Sequence, residues 1–159
     1  METSVMEHTV NMITWPGRTY MVRRVHVPLN KLPDFFAETY AAMVQALAER
    51  GIRPQGLPSA IYYSVDEDGR DTDVAAAIPV SLNLPDIPGF DQVTIPSSRA
   101  LMVEYAGPYE YMGAAYDAMV DRLRADHLEP GWMMEEYLSD PTADPDPGHW
   151  RTNIIWTVQ

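Results

Sequence analysis

FAETYAAMVQALAERGIRP (residues 36–54) is echoed by MGAAYDAMVDRLRADHLEP (residues 112–130), and reading that echo decides the fold. At an offset of 76 the stretches are identical at six places: Tyr40/Tyr116, Ala42/Ala118, Met43/Met119, Val44/Val120, Leu47/Leu123 and Pro54/Pro130. In the first stretch Phe36, Tyr40, Met43, Val44 and Leu47 fall on one helical stripe. Pro33 suits a first turn, Asp34 complements the positive end of the helix dipole, and Gly51 fits the left-handed closing position. A helix is therefore expected over about 32–50. Two unrelated amphipathic helices can share a stripe, but this repeat continues past the helices. One residue closer, LPSAIYYS (57–64) aligns with WMMEEYLS (132–139), pairing Tyr62 with Tyr137 and Ser64 with Ser139. At an offset of 78, Ile78-Pro79-Val80 aligns with Trp156-Thr157-Val158. The pattern is that of an internal duplication.

Outward from the helices the chain alternates. RTYMVRRVHV (18–27) has the two-residue period of a half-buried strand, and residues 5–14 read as an extended stretch joined to it at Trp15-Pro16-Gly17. Strands are expected over 57–65 and 73–80, about a turn at Asp66-Glu67-Asp68-Gly69. The Pro-rich LNLPDIPG (82–89) leads into the second unit. There, 93–106 is extended with a break at Pro96-Ser97-Ser98, followed by a helix over about 108–126. Strands at 132–138 and 151–158 flank the loop SDPTADPDPG (139–148). Each unit reads strand–helix–strand–strand. The expected fold class is α+β: duplicated βαββ modules forming one antiparallel sheet, with two helices packed on it. A single domain over 1–159 is expected, its halves spanning about 15–81 and 91–159, with a central ligand groove where they meet.

Composition removes several function classes. The 159 residues carry 11 Lys+Arg against 23 Asp+Glu, a formal charge of −12, which opposes contact with nucleic acid or anionic membranes. There is no cysteine for a disulfide framework, a thiolate nucleophile or a zinc finger. METSVMEHTVNM lacks the basic start and apolar run of a signal peptide, and no apolar run reaches transmembrane length, so a cytoplasmic location is expected. His8, His26, His127 and His149 are scattered without metal-ligand spacing, and glycine motifs of hydrolases and nucleotide-binding proteins are missing. Neither a metal nor a cofactor is expected. The acidic 139–148 loop lacks the EF-hand pattern and reads as a solvated turn.

The chemistry concentrates in GWMMEEYLSDP (131–141). In a strand Met133, Glu135 and Tyr137 share one face, while Met134, Glu136 and Leu138 share the other. Apolar residues flank both glutamates, so either face suits burial. With Glu135 inward, an unpaired carboxylate among aromatic and thioether groups is costly and its pKa rises. A cation relieves that cost, and each tyrosine face adds about 0.5–2 kcal/mol of cation–π attraction. With Glu135 outward, Glu136 is merely its neighbour. Tyr62, the repeat mate of Tyr137, is either an opposite wall or an ordinary core-edge tyrosine. Trp156, the mate of Ile78, is either another wall or plain core. The ten methionines are core filler or adaptable pocket lining.

GPYEYMGAAYDAM (107–119), EEYLSDP (135–141), HWRTNIIWTVQ (149–159) and the first-half AIYYS…DVAAAIPV together resemble the GyrI-like small-molecule-binding domain, over about 15–159. That domain also serves AraC- and MerR-type multidrug regulators as their effector-binding part. The resemblance implies a groove binding bulky aromatic, often cationic, compounds, for multidrug sequestration or sensing. It implies that the glutamate two residues before the strand tyrosine, here Glu135, meets the ligand charge. Tyr109 of the GPY turn and Tyr62 are then placed near the groove. The chain departs from the commoner pattern at Met134 and Thr157, where an aromatic residue and a proline are usual. No helix-turn-helix is expected, so the chain reads as a stand-alone domain. The expected ligand set is Glu135, Tyr137, Tyr62, Tyr109, Trp156 and Met133. Some stand-alone relatives resemble hydrolases that open cyclopropane rings of DNA-alkylating natural products, and that alternative uses Glu135 as base with Tyr62 or Tyr137 as donor. A protein-interaction module of gyrase-inhibitor type is a further alternative. SOUL-type haem proteins share the fold, but no histidine is placed for that role.

Overall fold

The computed structural model describes residues 8–65, 69–140 and 143–159. Strands β1 (Asn11–Trp15) and β2 (Arg18–Pro28) lead into α1 (Leu32–Glu49), β3 (Ser59–Val65) and β4 (Asp71–Val80). Strands β5 (Asp91–Ile95) and β6 (Ser98–Ala106) lead into α2 (Gly113–Ala125), β7 (Pro130–Tyr137) and β8 (Arg151–Val158). Some boundaries move from those expected. β3 starts at Ser59 rather than 57, because Pro58 has no N–H for the ladder. The second helix starts at Gly113 rather than 108. Gly107 at φ 131 and the extended Pro108 swing the chain about, and it re-enters through a tight turn at Tyr109–Tyr111. Asp66, Glu67 and Asp68 of the expected hairpin turn, and 5–7 of the first extended stretch, lie outside the described residues.

All strands join one antiparallel sheet in the order β1-β6-β8-β7-β3-β4-β2-β5. The order is a palindrome in repeat terms: β3-β4-β2-β5 on one side answers β7-β8-β6-β1 on the other. The two units meet at the β3–β7 seam, where Ala60 faces Glu135. These two residues are also mates in the repeat, 75 positions apart, so the pseudo-twofold axis runs between them.

Consecutive β1 and β2 sit near opposite ends of the strand order, although only Pro16 and Gly17 separate them. Register explains this. Trp15 faces Ser98 and Arg18 faces Ile95, so β1–β2 and β5–β6 form one long ladder that stays in register through a double break. Pro16 and Pro96 cannot donate there. The breaks pack closely: a Cβ on Gly17, which has φ +81, would lie 2.9 Å from the Ser97 amide nitrogen. The shared ladder draws the two ends of the sheet together and curls it into a half-barrel.

Both helices lie on one face, where Met43 and Leu47 of α1 meet Met21, Ala76 and Ile78. Met119 and Leu123 of α2 meet Leu101, Val103 and Ile154. Among the described residues no helix covers the opposite face, yet Tyr20, Val22, Ile61, Ala75, Met134 and Ile155 are buried there because the sheet curls over them. Helix α1 packs chiefly on β4 and β2, and α2 on β6. The seam strands β3 and β7 therefore form the floor of a cleft between the helices.

Candidate ligand-binding site

Strand parity puts Met133, Glu135 and Tyr137 on the helix face of β7 and Ala60 and Tyr62 beside them on β3. Glu135 is buried, with 6% of its surface exposed. Its mate across the seam is only an alanine, so one carboxylate stands at the centre of the pseudo-symmetric floor. Helix α2 supplies Tyr116, whose hydroxyl donates to Oε2, and Tyr137 donates to Oε1 at 2.8 Å. Tyr62 reaches the Tyr137 hydroxyl in turn. In the other unit Tyr40, the repeat mate of Tyr116, donates to the Ser59 carbonyl instead. Glu135 therefore breaks the symmetry by capturing the phenol of its own unit.

Above this layer Phe36 of α1 stacks on Tyr40 at 5.6 Å between ring centres and meets Tyr137 at 6.0 Å. Tyr109 meets Tyr137 edge-on at 6.0 Å and stacks on Trp150 at 4.9 Å. Tyr109 is the most exposed ring of the group. Tyr62 and Tyr137 bury their hydroxyls but keep part of their rings open. The arrangement is an aromatic cleft with phenols turned toward one acid.

Its electrostatics are one-sided. Burial raises the Glu135 pKa, and the hydrogen bonds from Tyr116 and Tyr137 only partly offset that rise. Burial and then the nearby Glu135 charge push the phenols of Tyr109, Tyr116 and Tyr137 above the ordinary tyrosine value, so they act as donors. Among the described residues no cationic side chain pairs with Glu135. Its neighbour gives the contrast. Glu136 is equally buried, on the other face, but Arg18 lies 3.5 Å from its carboxylate and Asn153 donates to it at 3.3 Å. Glu136 is not an exposed neighbour, because the curl of the sheet buries both faces of β7. Of two adjacent acids, one has an arginine and the other has tyrosines.

Glu135, Tyr137, Tyr62 and Tyr109 come together as one group. Met133 faces Tyr62 one step along the seam and is half buried. Trp156 is not part of the group: it lies opposite Met133 on β8 and packs into the α2 cluster. There it borders a surface depression with Leu123, His127 and Leu128. Sequence reasoning missed Tyr116, Tyr40 and Phe36. Tyr40/Tyr116 is the first identical pair of the repeat, and its position on the inner stripe of both helices was the available signal. No set of three or more His, Asp or Glu among the described residues is arranged to hold a metal ion.

Comparison with known proteins agrees with this architecture. The family model described as the GyrI-like small molecule binding domain matches residues 8–159. A sequence search of curated proteins found no match. The EcmrR C-terminal domain superposes with a TM-score of 0.79 at 17% identity, covering 97% of this chain and 99% of that domain. The chain spans 59% of the EcmrR chain solved on DNA, with a TM-score of 0.83 and 17% identity over 98% of its own length. A hydrolase from Listeria innocua is similar at TM-score 0.67 and 15% identity, with 94% and 91% of the two chains covered. SAV2435, solved bound to tetraphenylphosphonium, is similar at TM-score 0.60 and 13% identity, with 97% and 94% covered. The chain belongs to the family of GyrI-like small-molecule-binding domains.

Proposed function

We propose that the chain binds bulky aromatic cations in the cleft over the β3–β7 seam, sequestering or sensing them. Glu135 supplies the countercharge, and Tyr62, Tyr109 and Tyr137 supply stacking faces. The observation that carries this reading is Glu135 itself, buried and held by two phenols with no cationic side chain beside it among the described residues. A buried charge without a partner destabilises a fold, so a site of this kind gains when a cation arrives from solution. Phenol donors hold the carboxylate in place, and each ring over a bound cation adds about 0.5–2 kcal/mol. The formal charge of −12 draws cations toward the protein in a salt-sensitive way. SAV2435 with its tetraphenylphosphonium supports the ligand class by analogy of fold. Displacement of a rhodamine-type dye by tetraphenylphosphonium tests the reading. Glu135→Gln is expected to weaken cation binding at least tenfold, about 1.4 kcal/mol, and leave a neutral aromatic ligand within threefold. Equal cation affinity in both proteins overturns the role of Glu135.

A second reading uses the same residues as a detoxifying hydrolase. It is favoured by the raised Glu135 pKa beside phenolic donors, the pairing expected of a general base with groups that stabilise a leaving oxyanion. Incubation with a cyclopropane-bearing alkylator separates the two. Turnover lost in Glu135→Gln supports the enzyme, and stoichiometric binding without product rejects it.

A further inference from the structure

Among the described residues only two buried polar side-chain atoms have no hydrogen-bond partner, Trp15 Nε1 and Thr152 Oγ1. Trp15 belongs to the curled interior, away from the cleft. Thr152 is different. It faces Tyr137 on one side and Tyr105 on the other, so it shares the helix face with Glu135. Glu135 faces Ile154, which makes Thr152 its diagonal neighbour, at roughly 7 Å between Cβ atoms by sheet geometry. Thr152 is 1% exposed, and water does not reach its hydroxyl. Tyr105 and Tyr137 give their protons to the Pro108 carbonyl and to Glu135, so neither donates to it, and neither phenol oxygen lies within hydrogen-bond reach as an acceptor. A hydroxyl buried without a partner costs free energy, and valine fills the same volume without that cost.

Resting on the cleft reading above, we infer that Thr152 is the second polar contact of the ligand site. Its hydroxyl meets a hydrogen-bonding group on the ligand, on the far side of Tyr137 from Tyr62. The ligand class is thereby narrowed. Preferred ligands are aromatic cations bearing a hydroxyl, carbonyl, ether or amide about 5–8 Å from the charged centre, a span set by the diagonal of the sheet. Glu135 reads the charge and Thr152 reads the polar substituent, with the edge of Tyr137 between them. Tyr109 is exposed, meets the edge of Tyr137 and stacks on Trp150, and on this inference it is the ring whose displacement admits the substituent.

The test uses the full chain and two probes: tetraphenylphosphonium, which carries no hydrogen-bonding group, and a phosphonium of matching aromatic area bearing a hydroxyl at that distance. Wild type is expected to prefer the hydroxyl probe at least fivefold. Thr152→Val is expected to abolish the preference, leave tetraphenylphosphonium affinity within twofold, and keep or raise the apo melting temperature. Thr152→Ser is expected to retain part of the preference. A preference that survives in Thr152→Val, or is absent from wild type, overturns the inference. So does a lower melting temperature in Thr152→Val, because it means the hydroxyl already has a partner. Failure of the cleft reading shows elsewhere, as tetraphenylphosphonium affinity indifferent to Glu135→Gln.

Discussion

Tyr116→Phe removes one hydroxyl and leaves the ring, so it isolates the hydrogen bond that α2 makes to Glu135. Hydrogen bonds to charged groups contribute about 1.5–3 kcal/mol in folded proteins. Divided by 1.36 kcal/mol per pKa unit, losing this one moves the already raised Glu135 pKa up by roughly one to two units more. On the proposed function cation binding needs the carboxylate, so below the Glu135 pKa each unit of falling pH weakens affinity by up to about tenfold. The affinity–pH profile of the variant is therefore displaced upward by about one to two units. At a pH on the sloping part, Tyr116→Phe binds about 10–100 times more weakly, and at high pH the curves converge. Calorimetric titration of tetraphenylphosphonium from about pH 5 to pH 9, with thermal melts to confirm folding, measures this. Superposable profiles refute the reasoning. A uniform offset at every pH refutes it too, because it means that Tyr116 acts through packing alone.

The Glu135 environment and the Gly17 break each carry a further expected outcome. The folded-state pKa of Glu135 lies above its ordinary value of 4.5, so the folded protein holds this proton longer than the unfolded chain. Stability from this group is greatest below 4.5, declines as pH rises toward the folded value, and then levels. Urea unfolding across that window is expected to show the decline in wild type and its absence in Glu135→Gln, and parallel curves count against a raised pKa. Gly17→Ala places a Cβ 2.9 Å from the Ser97 nitrogen and 3.2 Å from the Ile95 oxygen at φ +81. A loss of about 1–3 kcal/mol is expected in denaturant titration, and an unchanged midpoint shows that the two breaks in the ladder are not packed as described.

The fold was legible because duplication writes itself twice. Tyr40/Tyr116, Met43/Met119 and Leu47/Leu123 mark the inner stripe of each helix, and in the structure Met43, Leu47, Met119 and Leu123 are buried. Strand order was less legible. Nothing local in Trp15-Pro16-Gly17 says that β1 leaves β2 and pairs with β6, because the partner lies over 80 residues away. At the site, strand parity identified Glu135 with Tyr137, and the repeat added Tyr62. Parity alone left the choice between Glu135 and Glu136 open, and what distinguishes the two in the structure is a contact distant in sequence: Arg18 pairs with Glu136. Tyr116 and Phe36 were missed for a related reason. On a helix that packs against a sheet, a stripe aromatic reads as core, and only the seating of α2 on β6 brings the Tyr116 hydroxyl to the acid. Trp156, the repeat mate of Ile78, was open between wall and core, and in the structure it is half-buried and packs against the α2 cluster.

The most direct measurement is the position of a bound cation. In crystals grown with tetraphenylphosphonium the phosphorus is expected within about 6 Å of the Glu135 carboxylate, with the rings of Tyr62, Tyr109 and Tyr137 against the phenyl groups. A cation seated instead on the acidic 139–148 loop, or in the depression beside Trp156, with Glu135 still held only by Tyr116 and Tyr137, contradicts the role assigned to that acid.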